Sequence, residues 1–583
     1  MKEITKLGKT SLSDFTLCGA ELLPKLLKQL EESPQRFLRI CTDSLIVCAG
    51  GAGMSEGCLG GGMRGNMRIT NKIIQRNNLS NINTNKIYQD KLSTQMSTQK
   101  KINRPSDDPV IAIRALRLRS SVTEVTQYYS KNIPDAKSWL SVTEDALKNL
   151  SQIITNMISR CTKGANGDLK TEDRQIILEE LKGLGDEIYS TGDADYAGRY
   201  VFTGYRTDTS LSFLKETTLK YSITEQLGKE AIDTLTYVDT GDLLDLNEAN
   251  FDSTTMAGID ETQISSTDVY RIRLAYGDCD AVDAAGNPVA PTIEYTDAAG
   301  NTQTITAAMK HSYDDPYKNV GDNDVIYVPE TGELLLGKNQ YDVLMQVKDN
   351  ESTTTKNEGE IRITYEKSHW SKGELRPQHY FACTSTDADG KEINYNSSYL
   401  NGEVEHQEIE YDVGFNQTIR VNSTADECFK HGIGREADDI VSAMQNVLNL
   451  EATKATLEKL EKANEGDAGK LATIKKQLDA VNKALTYAKQ KEQALFEGGI
   501  SAFQKYLDDS NLCITNCGTR SSKLSLIENR MQNQKTSFET LKSENEDADI
   551  TEVAIHLNSA ELTYEAALMA TGKVMQTTLL NFI

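Results

Sequence analysis

Six histidines, His311, His369, His379, His406, His431 and His556, are the side chains best suited to acid–base or metal chemistry near neutral pH. They are scattered along the chain. None stands in the His-Glu-x-x-His spacing that sets two imidazoles on one helix face for zinc. His406 lies among Glu403, Glu405 and Glu408, a pattern that reads as a solvated, charged strand edge. His556 borders a helical seam and reads as packing or surface. Asp387-Ala388-Asp389-Gly390 opens like a calcium loop. Lys391 then takes the next ligand place and no bidentate glutamate closes the loop, so a tight Asp-Gly turn is expected instead.

The ten cysteines do not form a framework. Cys18, Cys41, Cys48 and Cys58 crowd the beginning, and Cys161, Cys279, Cys383 and Cys428 stand alone. Only Cys513 and Cys517 are close, one helical turn apart. Metal sites need further Cys or His at matching spacing, so ordinary buried thiols are expected. Gly50-Gly51-Ala52-Gly53 and Gly60-Gly61-Gly62 follow the apolar patch Leu45 to Ala49, as in a phosphate loop. No strand–helix–strand unit and no acidic ribose partner follow. No nucleophile elbow or paired Cys/His nucleophile stands out. No catalytic residue, cofactor or metal is therefore assigned, and a non-enzymatic role is expected.

The chain has 583 residues, enough for two to four domains. Hydrophobic residues make up only 38%, and mean hydropathy is -0.49, as suits a long helical, assembly-forming protein with extended surface domains. The net charge of -23 argues against a nucleic-acid partner, and no basic run is interleaved with aromatics. No uncharged apolar run approaches the length of a membrane span, so no membrane insertion is expected. Met1-Lys2-Glu3 leads into polar residues rather than a secretory signal.

The strongest local signal sets direction. In Asn103-Arg104-Pro105-Ser106-Asp107-Asp108-Pro109, Pro105 stiffens the approach and disfavours helix at Arg104. Ser106, Asp107 or Asp108 can cap the free N–H groups of the helix that follows. Pro109 suits the first turn, where its missing N–H costs nothing. Val110, Ile113, Leu116, Val122 and Val125 continue at roughly helical spacing.

Before this motif, 67–102 is rich in Asn, Thr, Ser and Gln, with a weak stripe of Ile69, Ile73, Ile82, Ile87 and Leu92. It should be marginally helical alone and helical once docked. After the motif, helix should run to about Arg160, with a kink or break at Pro134. Gly164 to Asp168 reads as a turn, and Thr171 starts another helix with Ile177, Leu181, Leu184 and Ile188 inward.

From 199 to about 430 the period falls toward two. Hairpins are expected around Asp297 to Asn301 and around Glu330 to Gly332, and Ile361 to Tyr365 alternates as a strand. Helix then returns. Leu457 and Leu460, then Leu471, Ile474, Leu478, Val481 and Leu485, suggest a charged hairpin turning at Gly466 to Gly469. Near the end, Ile550, Val553, Leu557, Ala560, Tyr564, Ala567, Thr571, Val574 and Thr578 alternate steps of three and four, a heptad seam. Part of it should pack on the chain's own first helix, and the extreme end on other subunits.

Both ends of the chain resemble the bacterial flagellin family, and its hook-associated members more than its filament flagellins. The resemblance rests on Met67-Arg68-Ile69-Thr70, on Asn103 to Pro109, and on Gly198-Arg199-Tyr200-Val201-Phe202-Thr203-Gly204-Tyr205. It continues in Tyr411-Asp412-Val413-Gly414 with Ile419-Arg420-Val421-Asn422, in Gly518-Thr519-Arg520, in Asn529-Arg530, and in Tyr564-Glu565-Ala566-Ala567-Leu568 to Ile583. It covers 67–215 and 405–583, leaving the middle assigned by position only. Gln99 stands where the family commonly has Gly before its basic pair.

The resemblance implies an extracellular structural subunit, exported through the flagellar type III apparatus, that joins the hook to the filament. Its implied partners are further copies of itself in a ring or helical assembly, a neighbouring hook-associated protein, filament flagellin and an export chaperone. A filament flagellin is one alternative. Another is a flagellin-like secreted protein whose middle domain binds glycans or has hydrolase activity.

The expected fold is α+β: a long helical coiled-coil arm formed by both chain ends, with an inserted β-rich surface domain. Its parts are a leader at 1–66, a marginal N-terminal assembly segment at 67–108, an N-terminal helical arm at 109–198 and the surface domain at 199–435. A charged helical hairpin at 436–510 and the C-terminal arm and assembly segment at 511–583 complete it. Met67 is expected as the natural start, because Arg64-Gly65 can be encoded by purine-rich codons resembling a ribosome-binding site just upstream. Assembly contacts are expected at Arg104, Asp107 and Asp108, which should fix the loop and helix start. Leu557, Tyr564, Leu568, Val574 and Leu580 should build the seam.

Overall fold

The structure, a computed structural model, describes residues 71–576 apart from 168, 283–285, 298, 348–360, 388–389 and 402–406. The leader, the start at Met67, His406, Ala388, Asp389, Thr578, Leu580 and the Val574 side chain lie outside the described residues. The chain divides into two compact units, Met1–Lys91 with Leu557–Ile583, and Leu92–His556.

The helices are α1 (Asn71–Thr98), α2 (Pro109–Gln127), α3 (Ile133–Ala165), α4 (Thr171–Gly192), α5 (Lys338–Leu344), α6 (Ala425–Cys428), α7 (His431–Ala463), α8 (Ala468–Glu546) and α9 (Ile550–Gln576). Strands occupy the interval between α4 and α6, so the chain is a mixture of helix and sheet. In the larger unit, α8 runs alongside α2, α3 and α7.

The α3 pattern produces its packing directly. Ile133, Ala136, Leu140, Thr143, Leu147, Leu150, Ile154, Met157 and Cys161 are all buried, and they alternate steps of three and four. On α8, Phe496, Gly499, Phe503, Ser510, Cys513, Cys517, Leu524, Ile527 and Met531 are buried on the same alternation. Such stripes keep one face of each helix turned to its neighbour. Each large aliphatic side chain so buried contributes roughly 1.5–3 kcal/mol.

The break expected at Pro134 is a single π turn, Tyr128–Asn132, between α2 and α3. The Ile133 N–H donates to the Tyr128 carbonyl, five residues back, and Pro134 sits in the first turn of α3. One extra residue in the turn lets the chain stay helical past a ring that would strike an ordinary helix.

The charged hairpin turns at 464–467, where the Asp467 carboxylate caps α8 through Gly469 N at 3.0 Å and Lys470 N at 3.2 Å. No break follows at 510; α8 is one helix to Glu546. The buried stripe passes through that position at Ser510 and Cys513, so packing gives the helix no reason to stop.

Among the described residues, two larger sheets occupy the inserted region. One is antiparallel, in the order Glu392–Tyr395, Ala382–Thr386, Lys220–Leu227, Ile361–Lys367, Thr292–Thr296, Thr302–Thr306. The other runs Ile232–Asp239, Ser265–Arg273, Glu333–Leu336, Val325–Val328, Ala308–Met309, with only the last pair parallel. Both expected hairpins are present, pairing Thr296 with Thr302 and Glu333 with Val328. Ile361, Ile363, Tyr365 and Lys367 are buried alternately, as the period-two pattern requires. The buried Trp370 stacks on Phe213 at 4.9 Å between ring centroids and donates from Nε1 to Leu219 O at 2.7 Å. A ribbon of Glu410–Gly414 and Gln417–Arg420 leads back toward α6 and α7.

Glycine has a purpose where α3 meets α8. A Cβ on Gly164 would stand 2.4 Å from the Phe496 ring, whereas Gly498 faces open space. Gly164→Ala should destabilise the protein by about 1–3 kcal/mol, and Gly498→Ala should stabilise it by roughly 0.5–1 kcal/mol. Urea denaturation of both variants checks the opposed signs.

Candidate assembly site

The punctuation motif folds as its residues suggest. The Asp108 carboxylate accepts from Val110 N at 2.9 Å and Ile111 N at 3.1 Å, capping α2, with Pro109 in its first turn. The Asp107 carboxylate turns the other way and accepts from Asn103 N at 3.2 Å and Arg104 N at 3.0 Å. Two adjacent aspartates thus satisfy the loop on one side and the helix on the other. Arg104 is exposed, and it lines a cavity of about 150 Å³ together with Lys100, Pro105, Leu116 and Arg119.

This loop is fastened to the far end of α8. Lys101 N donates to Glu546 O at 2.8 Å and Ala548 N to Gln99 O at 3.0 Å, a short antiparallel pairing. Lys100 pairs with Asp547. Glu546 is the hub, only 3% exposed, with Arg119 Nε at 2.6 Å from Oε1 and Nη2 at 2.8 Å from Oε2. The Arg119 fork holds the Glu546 carboxyl below its ordinary 4.5, and Lys100 at 3.8 Å adds to this. Sequence reading missed Glu546, Arg119 and Lys100, because no local spacing joins residues so far apart. One signal was present: Gln99 has φ 58°, the left-handed region that glycine occupies without strain.

Beside the clamp, Val110, Ile113 and Leu116 form an exposed apolar row on α2, at 59%, 53% and 64% exposure. Ala112, Ala115 and Val125 take the buried face of the same helix. Of the α2 residues expected at helical spacing, Val110, Ile113 and Leu116 therefore face outward, while Val122 is half-buried and Val125 is buried.

The other predicted residues lie in the smaller unit. Along α9 the less exposed positions include Val553 in the larger unit and Leu557, Ala560, Tyr564, Ala567 and Thr571 in the smaller one. Leu568 does not join them; it follows Ala567 by 100° around the helix and is 46% exposed. Ile555, Leu562 and Met569 are exposed too, seven residues apart. On the same unit, Gln89 Nε2 reaches Glu561 Oε1 at 3.5 Å.

The described histidines serve packing or surface pairs. Burial pushes His379 and His431 down to about 3. His431 Nε2 lies 2.9 Å from the Tyr276 hydroxyl. His311 pairs with Glu330 at 2.6 Å, and His556 lies 3.6 Å from Glu552. Asp387 accepts from Lys391 N at 2.9 Å, as a tight turn does. Among the described residues no cluster of three His, Cys, Asp or Glu is placed to hold a metal ion.

Residues 69–207 match the bacterial flagellin N-terminal helical region, which takes in the loop, the clamp's basic side and α2 to α4. This part of the chain is similar to the flagellin family. Over 146 residues it is 30% identical to flagellar hook-associated protein 3 of Salmonella typhimurium, covering 25% of this chain and 45% of that relative. Over 122 residues it is 29% identical to a flagellin of Clostridium tyrobutyricum, covering 21% of this chain and 32% of that one. The chain thus spans about half the length, 45%, of the hook-associated relative it matches. A solved hook-associated protein described as putative, from Vibrio parahaemolyticus, aligns with 76% of this chain and all of its own, at 14% identity and a TM-score of 0.30.

Two outcomes follow for the clamp. The folded Glu546 carboxyl titrates below its unfolded value, so its contribution is complete above the unfolded pKa and is lost as pH falls through the lower folded one. Glu546→Gln should remove that acid sensitivity and weaken the clamp by about 1 kcal/mol, since Arg119 is more than half exposed. Hydrogen exchange at Lys101 and Ala548 across an acid titration reads both effects. Gln99→Gly should protect the same amides by roughly 1 kcal/mol by relieving the left-handed backbone.

Proposed function

We propose that this chain is a structural subunit of the bacterial flagellum that joins the hook to the filament. The observation that carries this reading is the apolar row Val110, Ile113 and Leu116, left open beside a loop pinned on both sides, inside the region that matches the flagellin N-terminal helical region. A rigid, solvent-facing apolar ridge is what a subunit needs in order to bury surface against its copies. The role is mechanical, and no catalytic step is assigned.

In this reading both chain ends form a coiled-coil arm, and 199–435 is the surface domain. The alternating three and four spacing on α3, α8 and α9 supports the arm. The partners are further copies in a ring or helix, a neighbouring hook-associated protein and filament flagellin. An export chaperone holds the ends before passage through the flagellar type III apparatus, and the mature subunit is extracellular. Arg104, Asp107 and Asp108 hold the helix start, while Leu557, Tyr564, Val574 and Leu580 shape the terminal seam and Leu568 its outer flank.

Quantitative mass spectrometry of mechanically sheared flagella tests the role. A tiny ratio to flagellin supports a junction subunit; an abundant chain would make it a filament flagellin, and absence from flagella would overturn the reading. Leu568→Asp should leave a soluble monomer, because the side chain is already exposed, yet abolish junction formation and release filament subunits into the medium. Normal filaments on that mutant would sink the role given to the end of α9.

A further inference from the structure

One inward position of the six-stranded sheet holds an acid. On Lys220–Leu227, Tyr221, Ile223 and Glu225 are buried in alternation, so Glu225 stands where the period-two pattern calls for an apolar side chain. It is 2% exposed and lies across from the buried Ile363. The Tyr365 hydroxyl, on that neighbouring strand, donates to its Oε1, and so does Ala275 N at 2.9 Å. Ala275 closely follows Ser265–Arg273 of the five-stranded sheet, so this one carboxyl bridges the two sheets.

No cation touches the Glu225 carboxyl among the described residues. Tyr365 faces it from its own sheet, and Tyr276 and Cys279 from the segment after Arg273. On the strand at its other side, the buried Cys383 stands across from Ile223. From α7 come His431, 2.9 Å from the Tyr276 hydroxyl, and Arg435, whose charge acts on Glu225 while its Nη2 donates to Thr331 O. The inward Lys367 is spent elsewhere: it pairs with Glu374 at 3.3 Å and donates to Gly277 O at 2.6 Å. A carboxylate buried without a cation is costly, and the neutral acid is not. Burial accordingly pushes Glu225 up to about 7, against the pull of Tyr365, Ala275 and Arg435.

We propose that Glu225 is a proton-dependent fastener between the two sheets of the inserted region. With its proton it joins the strand at Tyr365 to the segment at Ala275 without burying a charge, and on losing the proton it loosens that seat. Both donors point at Oε1, which leaves Oε2 to carry the proton. The folded carboxyl keeps its proton above the unfolded value of 4.5. Its contribution is therefore complete below the unfolded pKa and is lost as pH rises to the folded one, the reverse of Glu546. His379 and His431, held neutral by burial, oppose it over the acid range, so chains are compared at each pH. This device stands apart from the junction role proposed above.

The test equilibrates the full chain in urea from about pH 4 to about pH 9, then applies a hydrogen-exchange pulse at one fixed pH. Peptides covering Lys220–Leu227 and Ile361–Lys367 give the unfolded fraction. Relative to the unmodified chain, Glu225→Gln should gain up to about tenfold in its folding equilibrium per pH unit between about pH 5 and 7, and hold steady above. A ratio that does not change with pH would overturn the proposal. Tyr365→Phe removes a donor that favours the ionised form, so the loss should extend to higher pH. Its ratio to the unmodified chain should stay constant in acid and fall as pH rises through neutrality. A ratio independent of pH there overturns the proposal even where the Gln variant fails to fold.

Discussion

The contact between α3 and α8 organises the larger unit. Two helices separated by more than three hundred residues, Ile133–Ala165 and Ala468–Glu546, bury matched stripes whose spacing alternates three and four. Because that spacing repeats every seven residues, the seam stays on one face for its whole length. Where side chains would be too large, glycine lets helices close, as Gly164 of α3 does against Phe496 of α8 and Gly499 of α8 against Ile440 of α7. The inserted sheets can then be long and polar at their rims without endangering the helical packing.

Charge fastens what apolar burial alone would leave free to slide. Arg174, 2% exposed, joins α4 to both α7 and α8 through Glu451 at 3.2 Å and Glu492 at 2.7 Å. Arg271 and Arg273 join the five-stranded sheet to Asp439 and Glu436 on α7. Glu546 does the same where the loop before α2 meets the end of α8. Where both partners are buried, as in Arg174 with Glu492, such a pair adds little net stability, since desolvation offsets attraction, but leaving one partner alone is expensive. Their value is registration: a flat helix face tolerates a one-turn slip, and a bidentate fork does not.

The local grammar was legible. The caps at Asp108 and Asp467, the hairpins at Thr296/Thr302 and Glu333/Val328, and the buried alternation of Ile361 to Lys367 all follow from residue type and short spacing. The direction of amphipathic faces was less so. Val110, Ile113 and Leu116 have helical periodicity, and periodicity cannot say whether the apolar side meets the chain itself or the solvent. Leu568 shows the same limit: it is apolar and stands next to the seam, yet a rotation of 100° per residue puts it outside. Pro134 reads as a kink or break because the rule for proline assumes an ordinary turn, and a π turn satisfies the rule without ending the helical run.

By itself the sequence determined the run of helices, the β-rich insertion, the start of α2 and the likeness to the flagellin family, because each depends on groups a few residues apart. Tertiary structure alone decided that Glu546 anchors the loop at Gln99 to Asp108, and that α8 continues unbroken through 510. Those outcomes depend on which distant side chains share a low-dielectric space, and spacing along a chain carries no record of that.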